Sequence, residues 1–425
     1  MNNTKVIVVR EAFEWLEVHP EGDFLEQDLK ELIRYLSRAY PKAEYWELGL
    51  NRVRFINVVG TIRLSRVQID IIPKFELQGE GILALQNMLT VCGHVPYRTL
   101  ENNSRMQFVQ MDLLTWIASA YCRELEDQMR RGVPAGYVQV EDNSLRLRGR
   151  VVLPHHLRRN SADKTRVYCA FDERTTDIPL NQVLFKAVTV LLRKSSDASI
   201  RKKLKQLLVY FEDVSEPYDL PTVLGSVRFD RLQSRFESAF RLAKLILSRM
   251  SLLQRGAQED CLSFLFDASL LYESYIGCLL KQMTEDLSLT VHLQHEEVKL
   301  LRNEDTGHEN VQLKPDIVVG RISQDGHQEW NAILDTKWKR ASIRKEDDIY
   351  QLYAYVTGYS EATHAVLVYP RTADDSKSMN WSLMAFPGKR IMTRTVRILR
   401  KEETQEDLRE ILQELQIQDA AAFHH

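Results

Sequence analysis

Two short stretches toward the C-terminal end carry residue types that can cleave a phosphodiester. Pro315-Asp316 opens the apolar run 317–319, and Asp335-Thr336-Lys337 follows the apolar run Ala332-Ile333-Leu334. Residues two apart on a strand share a face, so Asp335 and Lys337 are expected on one side and Thr336 on the other. Two carboxylates and an ammonium set out by a sheet are what metal-assisted phosphodiester hydrolysis needs. Carboxylate oxygens suit Mg2+, with Mn2+ able to substitute, and leave coordination positions for water and a phosphate oxygen. Such an ion makes bound water more acidic and neutralises charge growing on the phosphoryl group. Lys337 can orient the attacking water, help deprotonate it and stabilise the transition state. Taken alone, a P-D followed by a D-x-K has a plain alternative, an edge strand with alternating surface charges. The apolar residues before Asp335 favour a buried strand, where terminal charges are costly unless paired or metal-bound.

Nearby residues extend the set. Glu273, within the otherwise apolar stretch 271–276, can bring a third carboxylate to the metal or sit as a partly exposed helix acid. Gln351 and Tyr355 are four apart, hence on one helix face, and can position a water or a phosphate; capping and core packing are the alternative. Lys339, Arg340, Arg344 and Lys345 lie just past the strand and suit DNA-backbone contacts, against a solvated loop. His292 and His295, three apart on an expected strand, face opposite sides and make a poor metal pair. The basic run at 193–205 reads as a solvated helix face before it reads as a phosphate site. No H-E-x-x-H, G-x-S-x-G or G-x-x-x-x-G-K-S/T occurs. Nothing here binds a nucleoside triphosphate by the usual route, so any energy-dependent step falls to another chain.

Periodicity shows the elements that must hold these residues. Residues 24–40 have helical spacing, and Val67, Ile69 and Ile71 alternate with Arg66, Gln68 and Asp70 as in a half-buried strand closed by Pro73. Residues 81–91 and 112–131 read as helices, and 137–153 as β-rich with a turn at Asp142-Asn143. Three amphipathic helices are expected over 179–194, 200–211 and 229–249. The last part reads as a helix over 262–283, strands over 289–300, 312–319 and 330–338, a helix over 345–357 and a buried strand over 364–369. That α-β-β-β-α-β order implies a mixed sheet with helices packed on it. The fold class expected is α/β within a multi-domain α+β chain. It divides into a mixed α+β region (1–165), a helical middle (166–255) and a sheet-bearing region (256–425).

Composition narrows the classes. At 425 residues the chain is long enough for roughly three domain-sized units. Its 57 Lys and Arg against 59 Asp and Glu leave a formal charge of −2, so nucleic-acid contact must come from local patches. No apolar run approaches the roughly 18 residues of a membrane span, and residues 6–9 are too few for a signal-peptide core. Cys92, Cys122, Cys169, Cys261 and Cys278 are odd in number and scattered, with no C-x-x-C. The expectation is a reduced, soluble, cytoplasmic protein with no membrane association.

The set Pro315-Asp316, Asp335-Thr336-Lys337 and 351–355 (QLYAY) resembles the PD-(D/E)XK nuclease superfamily. More specifically the chain is similar to the McrC family, nuclease subunits of McrBC-type modification-dependent restriction systems. The stretches IDIIPK (69–74), LRGR (147–150) and FDERTTD (171–177) with Leu180-Asn181 carry that likeness over most of residues 50–370. The resemblance implies a Mg2+-dependent endodeoxyribonuclease with Asp316 and Asp335 as metal ligands and Lys337 as the catalytic lysine. It implies an N-terminal part that docks on hexameric rings of a McrB-like AAA+ GTPase and stimulates GTP hydrolysis. Double-stranded DNA is the substrate, and recognition, commonly of methylated cytosine, belongs to the partner. A stand-alone DNA nuclease and a non-catalytic scaffold or DNA-binding subunit are the alternatives.

Overall fold

The computed structural model describes residues 5–40, 45–75, 80–96, 112–251, 262–285, 289–323, 325–341, 346–372 and 378–415. They fall into two compact units, Met1–Leu113 with Leu252–His425, and Leu114–Ser251. Among the described residues no helix is long and apolar enough to cross a membrane.

In the first unit, Lys5–Arg10 runs parallel to Val67–Ile72, which pairs antiparallel with Val58–Arg63. The amphipathic helix Glu26–Ala39 lays Leu29, Leu32, Tyr35 and Leu36 into one core with Ile62, Val67, Ile69 and Ile71. The expected polar face of Val67–Ile72 is not exposed. Gln68 and Asp70 are buried, and the Asp70 carboxylate accepts from Thr61 Oγ1 at 2.6 Å and Gln68 Nε2 at 3.0 Å. Burial pushes the Asp70 carboxyl up to about 6, against those two donors.

The helix expected over 262–283 is split. Leu262–Asp267 is a strand antiparallel to Val58–Arg63, and the helix is Ala268–Thr284. Leu265 sits in the N-terminal core, so tertiary pairing with a distant strand overrides the local apolar pattern. The close approach requires Gly60, at φ +137°, where a Cβ would lie 1.8 Å from the Phe264 carbonyl oxygen. Asp267 then caps the helix by accepting from Leu270 N at 2.9 Å.

The sheet that follows has six strands in the order Thr290–Leu293, Ile317–Ile322, Gln328–Thr336, His364–Pro370, Arg390–Val396, Met379–Ser382. Gln328–Thr336, His364–Pro370 and Arg390–Val396 are parallel neighbours, and the remaining pairs are antiparallel. The mixed pairing agrees with the expected class. Two strands are shorter than read from sequence. The chain turns at Gln294 (φ +49°), and Lys299–Arg302 with Glu309–Gln312 forms a separate hairpin. After the sheet the chain forms the helix Lys401–Glu414, and its Asp407 accepts from Arg397 Nη2 at 2.9 Å.

The second unit holds the helices Pro179–Lys194, Ala198–Leu208 and Glu237–Ser251. It also holds a three-stranded sheet in which Val167–Thr175 lies between Gly136–Ser144 and Arg150–Val151. Gly136–Ser144 runs straight through Asp142-Asn143, where a turn is expected, because both residues pair across the ladder with Cys169 and Tyr168.

Candidate active site

Two carboxylates meet at the ends of adjacent central strands. Ile317 pairs with Leu334, which puts Asp316, one residue earlier, beside Asp335 along the ladder. Asp335 continues the face of Ile333, which packs with Leu352 and Tyr355 of the helix Glu346–Gly358. That helix starts with Glu346, Asp347 and Asp348, acids favoured where a helix presents unpaired N–H groups.

Lys337 closes the set. Its Nζ lies 2.6 Å from Asp335 Oδ2 and donates to Gln351 Oε1 at 3.0 Å. Gln351 Nε2 donates to the Tyr355 hydroxyl at 2.8 Å, and that hydroxyl donates to the Lys314 carbonyl at 2.9 Å. A chain of hydrogen bonds thus runs from the ammonium to the backbone just ahead of Pro315-Asp316. Tyr355 is buried with its hydroxyl used at both ends. In this position Tyr355 supports Gln351.

Asp316 is held from the other side. Its Oδ2 accepts both the Thr336 N–H at 2.7 Å and the Thr336 hydroxyl at 2.8 Å. Thr336, expected to point away, lies past the last paired residues of that ladder, and the carboxylate satisfies its free N–H.

Electrostatics follow from this crowding. Burial raises the Asp316 carboxyl, with the Thr336 donors and Lys337 pulling down. Asp335, 1% exposed, is pushed up to about 7, first by burial and then by the charge of Asp316, against the pull of Lys337. Burial works against the Lys337 ammonium, but Asp335 and Asp316 outweigh it and hold it above its ordinary value.

Glu273 is half-buried and shares this field. Burial, and next the Asp316 charge, raises its carboxyl. Gln294 joins the two acids, donating from Nε2 to Glu273 Oε1 at 3.0 Å and from its backbone N to the Asp316 carbonyl at 2.7 Å.

The basic candidates divide. Lys339 forms an ion pair with Asp348 and is half-buried, so its ammonium is turned onto the protein. Arg340 is half-buried with its guanidinium 5.3 Å from the Phe13 ring centroid. Arg344 and Lys345 lie outside the described residues. The histidines depart from expectation: the turn at Gln294 brings the His292 and His295 rings to 5.1 Å, and His295 Nδ1 is 2.7 Å from the Tyr359 hydroxyl.

Among the described residues, no three His, Cys, Asp or Glu side chains are gathered to hold a metal by themselves. Asp316 and Asp335 are a pair of oxygen donors whose charges oppose each other's ionisation. That pair fits a hard divalent cation whose other positions are filled by water and phosphate oxygens. The sequence alone does not single out Thr336, Gln294 or Asp348. Asp348 carries a charge that bears on both Asp335 and Lys337. Its only signal in sequence is an acidic first turn, which helices show in general.

Comparison with known proteins places the chain. The family model for "McrBC 5-methylcytosine restriction system component" matches residues 53–370. No curated protein gives a significant match. Among solved structures, one similar chain belongs to a refined half-complex from the tetradecameric assembly of Thermococcus gammatolerans McrB AAA+ hexamers with bound McrC. It has 18% identity and a TM-score of 0.72, covering 96% of this chain and 100% of that one. A second comes from the Thermococcus gammatolerans McrBC complex, at 20% identity and a TM-score of 0.52, covering 65% of this chain and 87% of that one. At these identities the likeness is one of fold. The family match spans well over half of the sequence, so this chain belongs to the McrBC 5-methylcytosine restriction system component family.

Proposed function

We propose that this chain is the DNA-cleaving subunit of a GTP-driven, modification-dependent restriction complex of the cytoplasm. In this reading it is a metal-dependent endodeoxyribonuclease that docks on a McrB-like AAA+ GTPase and stimulates it. The observation that carries the reading is the junction of Asp316, Asp335 and Lys337 at the ends of two adjacent central strands.

Asp316 and Asp335 would hold Mg2+, or Mn2+ in its place, with the Glu273 carboxyl near enough to feel the Asp316 charge as an outer acid of the site. The ion supplies an acidified water and charge neutralisation at the phosphoryl group. The chain's own residues do the rest. Lys337, fixed by Asp335 and Gln351, places a positive charge where negative charge grows in the transition state. Thr336 fixes the rotamer of Asp316, and the Gln351–Tyr355–Lys314 chain keeps the lysine from swinging into solvent. Arg340 is the remaining described candidate for a backbone-phosphate contact.

The partner part of the reading rests on family membership and on the complexes that the similar chains come from. Exposed apolar side chains in the second unit support it. Tyr137, Leu145, Leu147, Leu153 and Leu157, all within residues 137–157, are each more than half exposed.

The test is cleavage of methylated duplex DNA with the partner, GTP and Mg2+. Asp335→Ala and Lys337→Ala should each abolish cleavage while complex assembly and GTP hydrolysis persist. Cleavage retained by either variant refutes the nuclease reading.

A further inference from the structure

Trp338 follows directly on Lys337 and ties that lysine to the N-terminal part of the same unit. The last sheet bond of this segment is Lys337 N to the Val368 carbonyl, 3.0 Å, so the ladder fixes nothing beyond it. What holds the chain next is the buried indole of Trp338. It meets Phe75 edge-on at 4.7 Å and Tyr272 at 5.4 Å between centroids, with the Lys74 ammonium 5.8 Å from the ring. Tyr272 immediately precedes Glu273. The indole N–H donates to Glu11 Oε1.

Glu11 is an unusual neighbour. It is wholly buried, and its second carboxylate oxygen has no hydrogen-bond partner among the described residues. Burial raises its carboxyl, with Lys74 and the indole pulling the other way. The turn that presents it is pinned by Glu11 N to the Ile72 carbonyl (3.1 Å) and Ala12 N to the Phe55 carbonyl (2.7 Å), and Ala12 is left-handed at φ +61°. A core position that only needed filling would be better served by an apolar side chain, since a buried acid costs stability. The carboxylate faces two groups, the buried Lys74 ammonium and the Trp338 indole N–H, and the second links it to the strand end at Lys337.

We infer that Glu11 is a positioning residue for Lys337, acting through the Trp338 indole to hold the ammonium at Asp335 and Gln351. This rests on the nuclease reading and adds to it a residue more than three hundred positions away in sequence.

The test uses the complete chain in complex with its partner GTPase. Glu11→Leu and Trp338→Phe should each lower kcat for DNA cleavage by about 10-fold or more with KM changed less than about 2-fold, the pattern of a lost transition-state contact. Glu11→Gln keeps the acceptor oxygen and should restore kcat to within about 3-fold of the parent. The double variant should be no worse than either single one, because both break the same link. Amide exchange at Lys337 gives a readout independent of cleavage. Glu11→Leu and Trp338→Phe should speed it, and Glu11→Gln should not. If Lys337→Ala abolishes cleavage but Glu11→Leu and Trp338→Phe leave kcat unchanged, the inference falls and the nuclease reading stands. If Lys337→Ala retains cleavage, the nuclease reading falls, and unchanged exchange in Glu11→Leu would remove the positioning claim as well. Should Glu11→Leu not fold, Trp338→Phe carries the same comparisons.

Discussion

Thr336 gives both of its donors to a single oxygen of Asp316, the N–H at 2.7 Å and the hydroxyl at 2.8 Å. The backbone donor survives substitution by valine or serine, so the hydroxyl can be tested alone. Thr336→Val should lower the cleavage rate by about 10- to 150-fold, the scale of one charge-assisted hydrogen bond at roughly 1.5–3 kcal/mol. Thr336→Ser should recover most of it. Single-turnover cleavage of the two variants side by side decides the matter, and equal rates would remove Thr336 from the site.

Tyr355→Phe removes the hydroxyl that bonds the Lys314 carbonyl and the Gln351 amide in a partly buried setting. The expected cost is about 1–3 kcal/mol of stability, the range for a buried polar group left unsatisfied. Thermal unfolding should show it, together with a smaller fall in cleavage. Gln351→Ala should reverse that ranking, with the larger loss in cleavage.

Asp70 provides a pH signature remote from the site. Its carboxyl is raised from 3.8 to about 6 on folding, so between those values the native state holds the proton more tightly than the unfolded chain. Stability from this group is therefore present at low pH and lost as pH rises through about 6. Asp70→Asn should stabilise the protein at pH 8 by about 1–3 kcal/mol, and the gain should vanish near pH 4. Denaturant unfolding at the two pH values checks this; a gain of equal size at both would contradict it.

Arg340 and Lys339 should differ in DNA binding. The Lys339 charge is offset by Asp348 at its side, and the Arg340 guanidinium lies over the Phe13 ring. Arg340→Ala should reduce the slope of log affinity against log salt by about 1, as loss of one phosphate contact does. Lys339→Ala should change it less. Titration of duplex DNA across a salt series is the measurement.

The site was legible where chemistry and strand periodicity coincide. Asp335 and Lys337 share parity on one strand and so face one helix together, and Pro315-Asp316 precedes the neighbouring strand. Gln351 and Tyr355 share a helix face, but the four-residue spacing does not show that one supports the lysine and the other the backbone. Contacts made across longer sequence separations left no local trace: Glu11 with Trp338 and Gln294 with Glu273. The fold shows the same divide. The order of elements around the mixed sheet follows from apolar periodicity, while Leu262–Asp267 reads as helix because its strand partner lies far upstream. Gln68 and Asp70 read as solvent-facing because alternation reports polarity and cannot report what covers it.

The pairing of Leu262–Asp267 with Val58–Arg63 sets an order of events during synthesis. The Val58–Arg63 edge emerges from the ribosome roughly 200 residues before the strand that will cover it, a wait of about 10–40 s at ordinary elongation rates. Throughout that interval a nascent chain presents an open β edge, the kind of surface that recruits other chains. Prematurely terminated products ending before residue 262 should thus be aggregation-prone. The six-stranded sheet that carries Asp316 and Asp335 follows that strand in the chain and is completed only after it.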